Sequence, residues 1–389
     1  MGTGKKTGDL TLSEHFLDSK NMSLWYKAKA FAGILTTQTF VGPYFATVGD
    51  RYQCNYRCVF CEWFSPLVKK KRPQVSGLDY LSVDVYQKLV SQLSALGTKV
   101  ILIGNIEEPF LDTTLIEKIR YTKANNLQCF VITNGSLLTP KNTEQLVDLG
   151  LDYLNISLNA GCPQTYPKIH TTETEATYHQ IVAMVTHIEA LKAAKHTPFP
   201  RIRLSMVVCN RNYQDILQFI ELAHRTGVKN VQIKRFISVT KEILDELELT
   251  PQQEEETKQY IQQALTIAKK HNIHLDMEWS EWTGAQKTPT EAHMPCYFGW
   301  LFCVIDADGN LYPCCFQERT PNALIGNIAE TNFKTLWKSE KYQTFRKQSK
   351  NIAARRQLGY LCNQPSCFYN NKQVHDTIHN LHLRLSKRK

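Results

Sequence analysis

Three cysteines on one short stretch constrain this chain more than any other feature: Cys54, Cys58 and Cys61. Thiolates at this spacing can bind three irons of a [4Fe–4S] cluster, which normally takes four cysteines. The missing fourth ligand leaves one iron open to an outside molecule, as a reaction centre requires. The alternatives are half of a zinc site, although zinc sites favour paired C-x2-4-C knuckles, and unrelated buried thiols, which rarely cluster so tightly.

An aromatic residue, Phe60, directly precedes the last of these cysteines. The resulting pattern, C-x3-C-x-aromatic-C, resembles the signature of the radical S-adenosylmethionine (SAM) superfamily. The resemblance implies a [4Fe–4S] cluster with an open iron, bound SAM with Phe60 in the cofactor site, and a partial (β/α)6 TIM-like barrel.

The alternation of short apolar runs with amphipathic helices predicts an α/β fold built from repeated βα units. Thr250, Pro251 and Gln253 have the spacing of a capped helix start, and Ile273–Met277 is a further strand candidate. The six predicted strands are Phe45–Asp50, Lys99–Gly104, Gln128–Thr133, Tyr153–Leu158, Ile202–Val208 and Asn230–Phe236.

The length of 389 residues suits a large domain followed by a smaller one. The expected organisation is a lead-in over residues 1–44, a barrel over 45–278, a linker over 279–295, an auxiliary-cluster domain over 296–370 and a basic tail over 371–389.

Barrels of this type carry their chemistry at the C-terminal ends of the strands. The resemblance implies that Glu108, after the second strand, binds the amino group of SAM, and that Thr133, Asn134, Ser157 and Asn159 lie near the cofactor. The family's Gly-Gly-Glu-Pro run is Ile-Glu-Glu-Pro here, and Asn159 replaces an acidic residue. The alternative role for Glu108 is that of a carboxylate capping a helix.

Cys209 ends the fifth predicted strand, where period-two alternation places it on one face with Ser205 and Val207. Its sharper interpretation is a thiol that donates a hydrogen atom to a substrate radical. The simpler interpretation is a small buried apolar residue, a common use of cysteine.

A second cysteine group follows the linker: Cys296, Cys314, Cys362 and Cys367. With Gly309 between the first two, this spacing resembles the SPASM and twitch domains of radical SAM enzymes, including a β-hairpin that turns at Asp308-Gly309. The resemblance implies one auxiliary [4Fe–4S] cluster with four cysteine ligands. Cys315 could replace Cys314, and a zinc ribbon is the alternative.

Composition narrows the location and the partners. Twelve cysteines without an apolar signal segment at the start favour cluster ligation in a reducing, cytoplasmic setting. The stretch Lys29–Val48 is fairly apolar, but it contains too many polar residues for a transmembrane segment. The net charge of +10 lies in solvated runs and not on a basic face interleaved with aromatic residues, so no nucleic-acid partner is expected.

The resemblance implies reductive cleavage of SAM to a 5′-deoxyadenosyl radical that takes a hydrogen atom from the substrate, giving oxidation, epimerisation or rearrangement. An electron donor such as flavodoxin or ferredoxin is expected. The short region before the barrel leaves no room for a leader-recognition domain, which favours a small-molecule or natural-product substrate over a peptide. The alternative of a different class is a non-catalytic iron–sulfur electron carrier or scaffold.

Overall fold

The computed structural model describes residues 23–49, 51–68, 81–104, 106–238, 240–277, 295–315, 318 and 321–351. Within these ranges one ten-stranded sheet organises the protein, in the spatial order β10-β9-β8-β1-β2-β3-β4-β5-β6-β7. The strands are β1 (Phe45–Val48), β2 (Val100–Ile103), β3 (Gln128–Thr133), β4 (Tyr153–Ser157), β5 (Arg201–Val208), β6 (Asn230–Arg235), β7 (His274–Met277), β8 (Phe302–Ile305), β9 (Asn310–Tyr312) and β10 (Gly326–Asn327).

Seven strands, β1 to β7, pair in parallel in chain order. Parallel pairing needs a crossover between successive strands, and helices supply most of these connections. The helices are α1 (Leu24–Thr36), α2 (Val83–Ala95), α3 (Leu115–Ala124), α4 (Pro140–Asp148), α5 (Tyr166–Ile169), α6 (Glu175–Ala194), α7 (Ile216–Thr226), α8 (Lys241–Leu247), α9 (Pro251–Lys270), α10 (Phe298–Leu301), α11 (Phe333–Lys338) and α12 (Glu340–Lys350).

The two faces of the sheet have different neighbours. Side chains such as Ile101, Val131 and Leu154 face the helices and form one large apolar core with them. The alternate positions, such as Leu102 and Phe130, face the interior of the barrel. This alternation decides which side chains can line a site inside the barrel.

Helix α1 packs across the N-terminal ends of the strands. Its residues Tyr26 and Ile34 join an apolar cluster with Phe45 and Val100, which begin β1 and β2. The Tyr26 hydroxyl donates to the Gly42 carbonyl at 2.8 Å. Apolar side chains therefore cover this end of the barrel, and the polar residues gather at the C-terminal ends of the strands.

The C-terminal hairpin extends the barrel sheet. Strand β8 pairs in parallel with the outer edge of β1 and antiparallel with β9, and the turn between them uses Gly309 at φ +82°. The hairpin prediction is confirmed. What the sequence did not indicate is that β8 covers the edge of β1, whose unpaired backbone groups would otherwise be exposed.

The six strands predicted from the sequence are all present, with ends that differ by no more than two residues. The further candidate is also a strand, β7, and α9 begins at Pro251 with the predicted reciprocal cap between Thr250 and Gln253. The α/β fold with a mostly parallel, barrel-like sheet is thus confirmed. No helix among the described residues is long and apolar enough to cross a membrane.

Candidate active site

The loop after β1 carries Cys54, Cys58 and Cys61, all half-buried. Burial, together with the negative charges of Glu108 and Cys61, raises the pKa of the Cys54 thiol to about 11, although the Tyr56 N–H opposes the shift. Burial likewise raises the pKa of Cys58, and the negative charges of Cys61 and Cys54 add smaller increases. The three sulfurs are therefore close enough to influence one another electrostatically.

Backbone N–H groups point at two of these sulfurs. The Tyr56 N–H donates to Cys54 Sγ at 3.4 Å, and the N–H groups of Trp63 and Phe64 donate to Cys61 Sγ at 3.4 and 3.3 Å. Such bonds favour the thiolate form that iron requires. Together, the three sulfurs on one loop and these donors fit a [4Fe–4S] cluster held by three thiolates.

Within the described part of the chain, no three His, Cys, Asp or Glu side chains converge closely enough to hold a single metal ion. A [4Fe–4S] cluster presents a different iron to each cysteine, so its ligands need not meet at one point. The spread of the three sulfurs is therefore compatible with a cluster.

The cysteine loop is fixed by the ends of two other strands. Beyond β2, the Glu108 N–H donates to the Gln53 carbonyl at 3.0 Å. Beyond β6, the hydroxyls of Ser238 and Thr240 donate to the Glu62 carboxylate at 2.5 and 2.6 Å. The loop thus lies across the C-terminal ends of the strands, where barrel chemistry is expected.

A third anchor comes from the segment after β4, which forms an isolated antiparallel bridge between Cys58 and His170. The His170 ring is buried, with Nδ1 3.1 Å from Cys58 Sγ and Nε2 3.1 Å from the Leu158 carbonyl oxygen. Burial lowers the pKa of His170 to about 4, so the ring is neutral near pH 7. Because a carbonyl only accepts, Nε2 carries the proton, and Nδ1 can accept from Cys58 only while that thiol keeps its own proton.

Glu108 is almost completely buried at the end of β2. Its carboxylate accepts from the Thr133 hydroxyl at 2.7 Å, the Asn134 N–H at 2.7 Å and the Phe110 N–H at 3.1 Å. Burial raises its pKa to about 7 despite these donors. Glu108, Thr133 and Asn134, which the sequence predicted near SAM, therefore form one hydrogen-bonded group.

The bond to Phe110 makes Glu108 the cap of a short 3-10 helix, Pro109–Leu111. The capping role that the sequence left open is thus realised in the fold. The carboxylate also joins β2 to β3 beside Cys54, so both roles are compatible with one position. Binding of the SAM amino group by Glu108 stays a prediction.

Asn134 extends this group to the cysteine loop. Its Nδ2 donates to Asn55 Oδ1 at 2.9 Å and lies 4.0 Å from Cys54 Sγ. Asn55 in turn donates to the Ser136 hydroxyl, which donates to Asn134 Oδ1 at 2.7 Å. Three polar side chains therefore hold the turn after β3 against the first cysteine.

Gly104 explains how the loop after β2 lies so close to β3. Its φ of +98° suits glycine, and a Cβ there would lie 2.5 Å from the Ile132 carbonyl oxygen. The family's Gly-Gly pair directly before the glutamate is missing, but this earlier glycine permits a close approach of the two strand ends.

Ser157 is the last residue of β4, and Asn159, two residues later, joins β4 to β5. Asn159 has φ +58°, its Oδ1 accepts from the Val207 N–H at 2.9 Å, and its Nδ2 donates to the Ser157 carbonyl at 3.1 Å. Both ends of the amide thus contact backbone. The assignment of Ser157 and Asn159 to SAM binding stays a prediction.

Cys209 is fully buried in an apolar cluster with Val59, Ile169 and Phe236, and Phe60 packs against this cluster. Burial raises the pKa of the Cys209 thiol to about 11. The cluster lies directly behind the cysteine loop. This environment is that of the simpler interpretation, a buried apolar cysteine, and hydrogen-atom donation by Cys209 stays a prediction.

The first two cysteines of the second group, Cys296 and Cys314, are buried, whereas Cys315 is exposed. Both buried thiols lie near the Tyr342 phenol of α12, whose pKa is raised by burial and then by Cys303, Cys314 and Cys296. This proximity fits a shared cluster, with Cys314 better placed than Cys315. Cys362 and Cys367 lie outside the described residues.

Sequence reasoning missed the contacts of His170, Asn55 and Ser136 with the cysteine loop. His170 lies 112 residues from Cys58 along the chain, and a single histidine carries no spacing signal. Asn55 falls between two recognised cysteines, and Ser136 follows the recognised Thr-Asn-Gly run. Their position beside these motifs was the available signal.

Two family patterns match the chain, and together they cover the barrel and the second cysteine group. The pattern of the radical SAM superfamily matches residues 52–249. The pattern of an iron–sulfur cluster-binding domain, SPASM, matches residues 296–367. The second match begins at Cys296 and ends at Cys367, the first and last of the predicted auxiliary ligands.

Two similar proteins align over most of their length. One, the tungsten-containing aldehyde ferredoxin oxidoreductase cofactor-modifying protein of Pyrococcus furiosus, is 22% identical over 77% of this chain and 82% of its own. The other, the AdoMet-dependent heme synthase of Methanosarcina barkeri, is 25% identical over 76% of this chain and 81% of its own.

Among solved structures, Streptococcus suis SuiB bound to the precursor peptide SuiA superimposes with a TM-score of 0.63 at 12% identity, covering 82% of this chain and 70% of SuiB. At this identity the likeness concerns the fold alone. With the cysteine loop at the C-terminal ends of the strands and both family patterns matched, this chain belongs to the radical SAM superfamily and is an enzyme that uses a [4Fe–4S] cluster and SAM, with a C-terminal SPASM iron–sulfur domain.

Proposed function

We propose that this enzyme abstracts a hydrogen atom from a small, polar molecule bound inside the barrel. The first cluster, when bound to SAM, supplies the electron that cleaves it to methionine and a 5′-deoxyadenosyl radical. The outcome for the substrate is oxidation, epimerisation or rearrangement, and flavodoxin or ferredoxin is the expected electron donor. The observation that carries this proposal is the polarity of one wall of the barrel interior.

The interior of the barrel has an apolar wall and a polar wall. On β1 to β3, the inward positions are mostly apolar, as at Phe45, Leu102 and Phe130, with the polar Thr47 and Gln128 on the same face. On β4 to β7, the same face is mostly polar or charged and carries Asn155, Ser157, Arg203, Ser205, Gln232 and Asp276, beside Tyr153 and Val207. Polar side chains inside a barrel are unfavourable unless they are paired or bind something polar.

Four of these side chains form a network. The buried Arg203 donates from Nε to Asn155 Oδ1 at 2.7 Å and approaches Asp276 Oδ2 with Nη1 at 3.4 Å. Gln232 Nε2 donates to the same Asp276 oxygen at 2.6 Å. Each of the four is therefore held in place by a neighbour.

One buried acceptor of this network has no partner: Gln232 Oε1. Gln232 pairs in register with Ser205 and Asp276 and lies three residues before the end of β6. A buried acceptor of this kind favours a ligand with a hydroxyl or amine donor. This supports a compact substrate that carries such groups and lies beneath the cysteine loop.

The chain's own residues would position the reactants. Cys54, Cys58 and Cys61 would hold the cluster, Glu108 with Thr133 and Asn134 would border SAM, and the polar wall would orient the substrate. The apolar wall would exclude water, which protects a reactive radical from side reactions. The sequence relatives named above are called a heme synthase and a cofactor-modifying protein, names that agree with a non-peptide substrate.

The test uses deuterium transfer. Anaerobically reconstituted, reduced enzyme receives SAM and either the small-molecule or the peptide fraction of cells grown in deuterated medium. We expect 5′-deoxyadenosine with deuterium from the small-molecule fraction, and none from a Cys58→Ala enzyme. Deuterium from the peptide fraction alone would establish a peptide substrate instead. Absence of deuterium in 5′-deoxyadenosine from either fraction would contradict the proposed hydrogen-atom abstraction.

A variant pair tests the polar wall. Gln232→Leu should keep SAM cleavage without substrate. It should reduce deuterium transfer at least about tenfold, because the substrate loses a hydrogen-bond acceptor. Gln128 also has a buried Oε1 without a partner, but it lies at the N-terminal end of β3, away from the cysteine loop. Gln128→Leu is therefore the matched control and should transfer deuterium as the unmodified enzyme does. Equal transfer by both variants would exclude Gln232 from substrate binding.

A further inference from the structure

The guanidinium of Arg346, on α12, is a fully buried cation in the SPASM region. Its Nε donates to the Gly299 carbonyl at 2.7 Å and its Nη1 to the Trp337 carbonyl at 2.9 Å, whereas Nη2 has no partner. No carboxylate of the described residues forms an ion pair with it. Burying a charge without a counter-charge costs roughly several kcal/mol of folding free energy.

Burial lowers the pKa of Arg346 only to about 10, and the neighbouring Tyr342 and Cys303 oppose that effect. The side chain is therefore cationic at neutral pH. Two aromatic rings enclose it: the guanidinium carbon lies 4.4 Å from the Trp337 ring centroid and 4.0 Å from that of Tyr342. Cation–π contacts reduce the unfavourable burial without neutralising the charge.

The same helix, α12, contacts the second cysteine group. The Cys296 N–H donates to the carbonyl of Ser349, three residues after Arg346, at 2.9 Å. The thiols of Cys296 and Cys314 act electrostatically on the Tyr342 phenol, and Arg346 lies over that ring. Helix α12 thus carries the buried cation and, one turn later, the carbonyl that binds the backbone of Cys296.

We infer that Arg346 is the built-in counter-charge of the auxiliary cluster and raises its reduction potential. A [4Fe–4S] cluster with four thiolate ligands is anionic, and net charge and surroundings set its potential. Reduction adds one electron and forms or breaks no bond, so the extra negative charge is stabilised by a buried cation nearby. Arg346 changes the potential of the cluster and does not contact the reacting atoms, so it is not a catalytic residue.

This inference rests on the SPASM domain and is independent of the substrate. It explains why the fold tolerates a buried cation that no described carboxylate neutralises. It also supplies a physical reason for the auxiliary cluster to accept an electron, since a neighbouring positive charge favours the reduced form.

The experiment is a redox titration of the holoenzyme, monitored by electron paramagnetic resonance, which follows both clusters in one sample. Arg346→Gln keeps hydrogen-bond donors and loses the charge, whereas Arg346→Lys keeps the charge. For Arg346→Gln we expect at least a tenfold loss in the equilibrium constant for reducing the auxiliary cluster, which is about 59 mV for one electron. Arg346→Lys should stay close to the unmodified enzyme, and the first cluster should not shift in either variant.

A second variant leaves Arg346 in place. Gln343 lies one helical turn before Arg346 and its Oε1 is buried without a partner, so Gln343→Glu would place a carboxylate near the guanidinium. We expect a fall in the same potential, smaller than for Arg346→Gln. The inference is overturned if the variants retain their iron and the auxiliary potential is unchanged, or if both clusters shift equally. Failure of substrate turnover would leave this measurement unaffected.

Discussion

The loop at Cys54–Cys61 and the region around Cys296 and Cys314 differ in the charged groups beside their sulfurs. The first has a buried carboxyl group, Glu108, which adds to the effect of burial in raising the pKa of Cys54. The second has a buried cation, Arg346, on the helix whose Ser349 carbonyl binds the Cys296 N–H. Both surroundings are buried, so these charges act through a poorly screening medium.

The contrast teaches how one chain can hold two clusters with different tasks. A negative neighbour disfavours an added electron and lowers a cluster's potential, and a positive neighbour raises it. We therefore expect the first cluster to be the stronger reductant and the auxiliary cluster the better acceptor. The polar contacts differ too, since amides and a neutral imidazole surround the first cysteines.

The largest expected effect separates the two regions by activity. Cys58→Ala should abolish 5′-deoxyadenosine formation and remove about half of the iron, because each cluster holds four irons. Cys314→Ala should also remove about half of the iron but retain SAM cleavage without substrate. Chromatography and an iron assay measure both quantities.

Cys162→Ala, at a half-buried cysteine outside both groups, is the control and should retain full iron and cleavage. If Cys314→Ala abolished SAM cleavage while the spectrum of the first cluster remained intact, the division of tasks between the two regions would be wrong.

A smaller effect sharpens the comparison through pH. The pKa of His170 falls from 6.5 to about 4 in the folded protein because the ring is buried. Its neutral form stabilises the fold fully above pH 6.5, and this contribution is lost as the pH falls towards 4. The shift corresponds to about 3 kcal/mol of unfolding free energy.

The measurement is the free energy of unfolding in urea, for iron-free protein at about pH 7.5 and about pH 4.5, which bracket most of that titration. It is made on the unmodified protein and on His170→Gln. We expect the variant to lose less stability on acidification. Arg346→Gln is the matched control, because a group with a pKa of about 10 does not titrate here. An equal loss in all three proteins would contradict a neutral, buried His170.

The sequence predicted most of the parallel sheet because strands buried on both faces are continuous apolar runs, as in Val100–Ile103. It predicted the start of α9 because Thr250, Pro251 and Gln253 cap a helix through local bonds alone. Local spacing also identified Cys54, Cys58 and Cys61. These features share one property: each depends on residues close together in the chain.

The features that the sequence did not predict depend on contacts between segments that are distant in the chain. The bond of His170 to Cys58 arises only when the segment after β4 reaches the cysteine loop. Arg346 lies in a helix rich in charged and polar residues, where the sequence suggests a solvated side chain. Its burial follows from packing against Trp337 and Tyr342, which no local pattern indicates.

The smallest effect concerns the polar contacts that hold the first loop. Ser136→Ala removes hydrogen bonds to Asn55 and Asn134, worth about 1 kcal/mol in total. Since 1.4 kcal/mol is tenfold, a chelator should remove iron from the first cluster about fivefold faster, whereas release from the auxiliary cluster should be unchanged. Ser91→Ala, an exposed serine on α2, is the control and should release iron at the normal rate. Equal acceleration of both clusters would mean that Ser136 stabilises the whole fold and does not act specifically on the loop at Cys54.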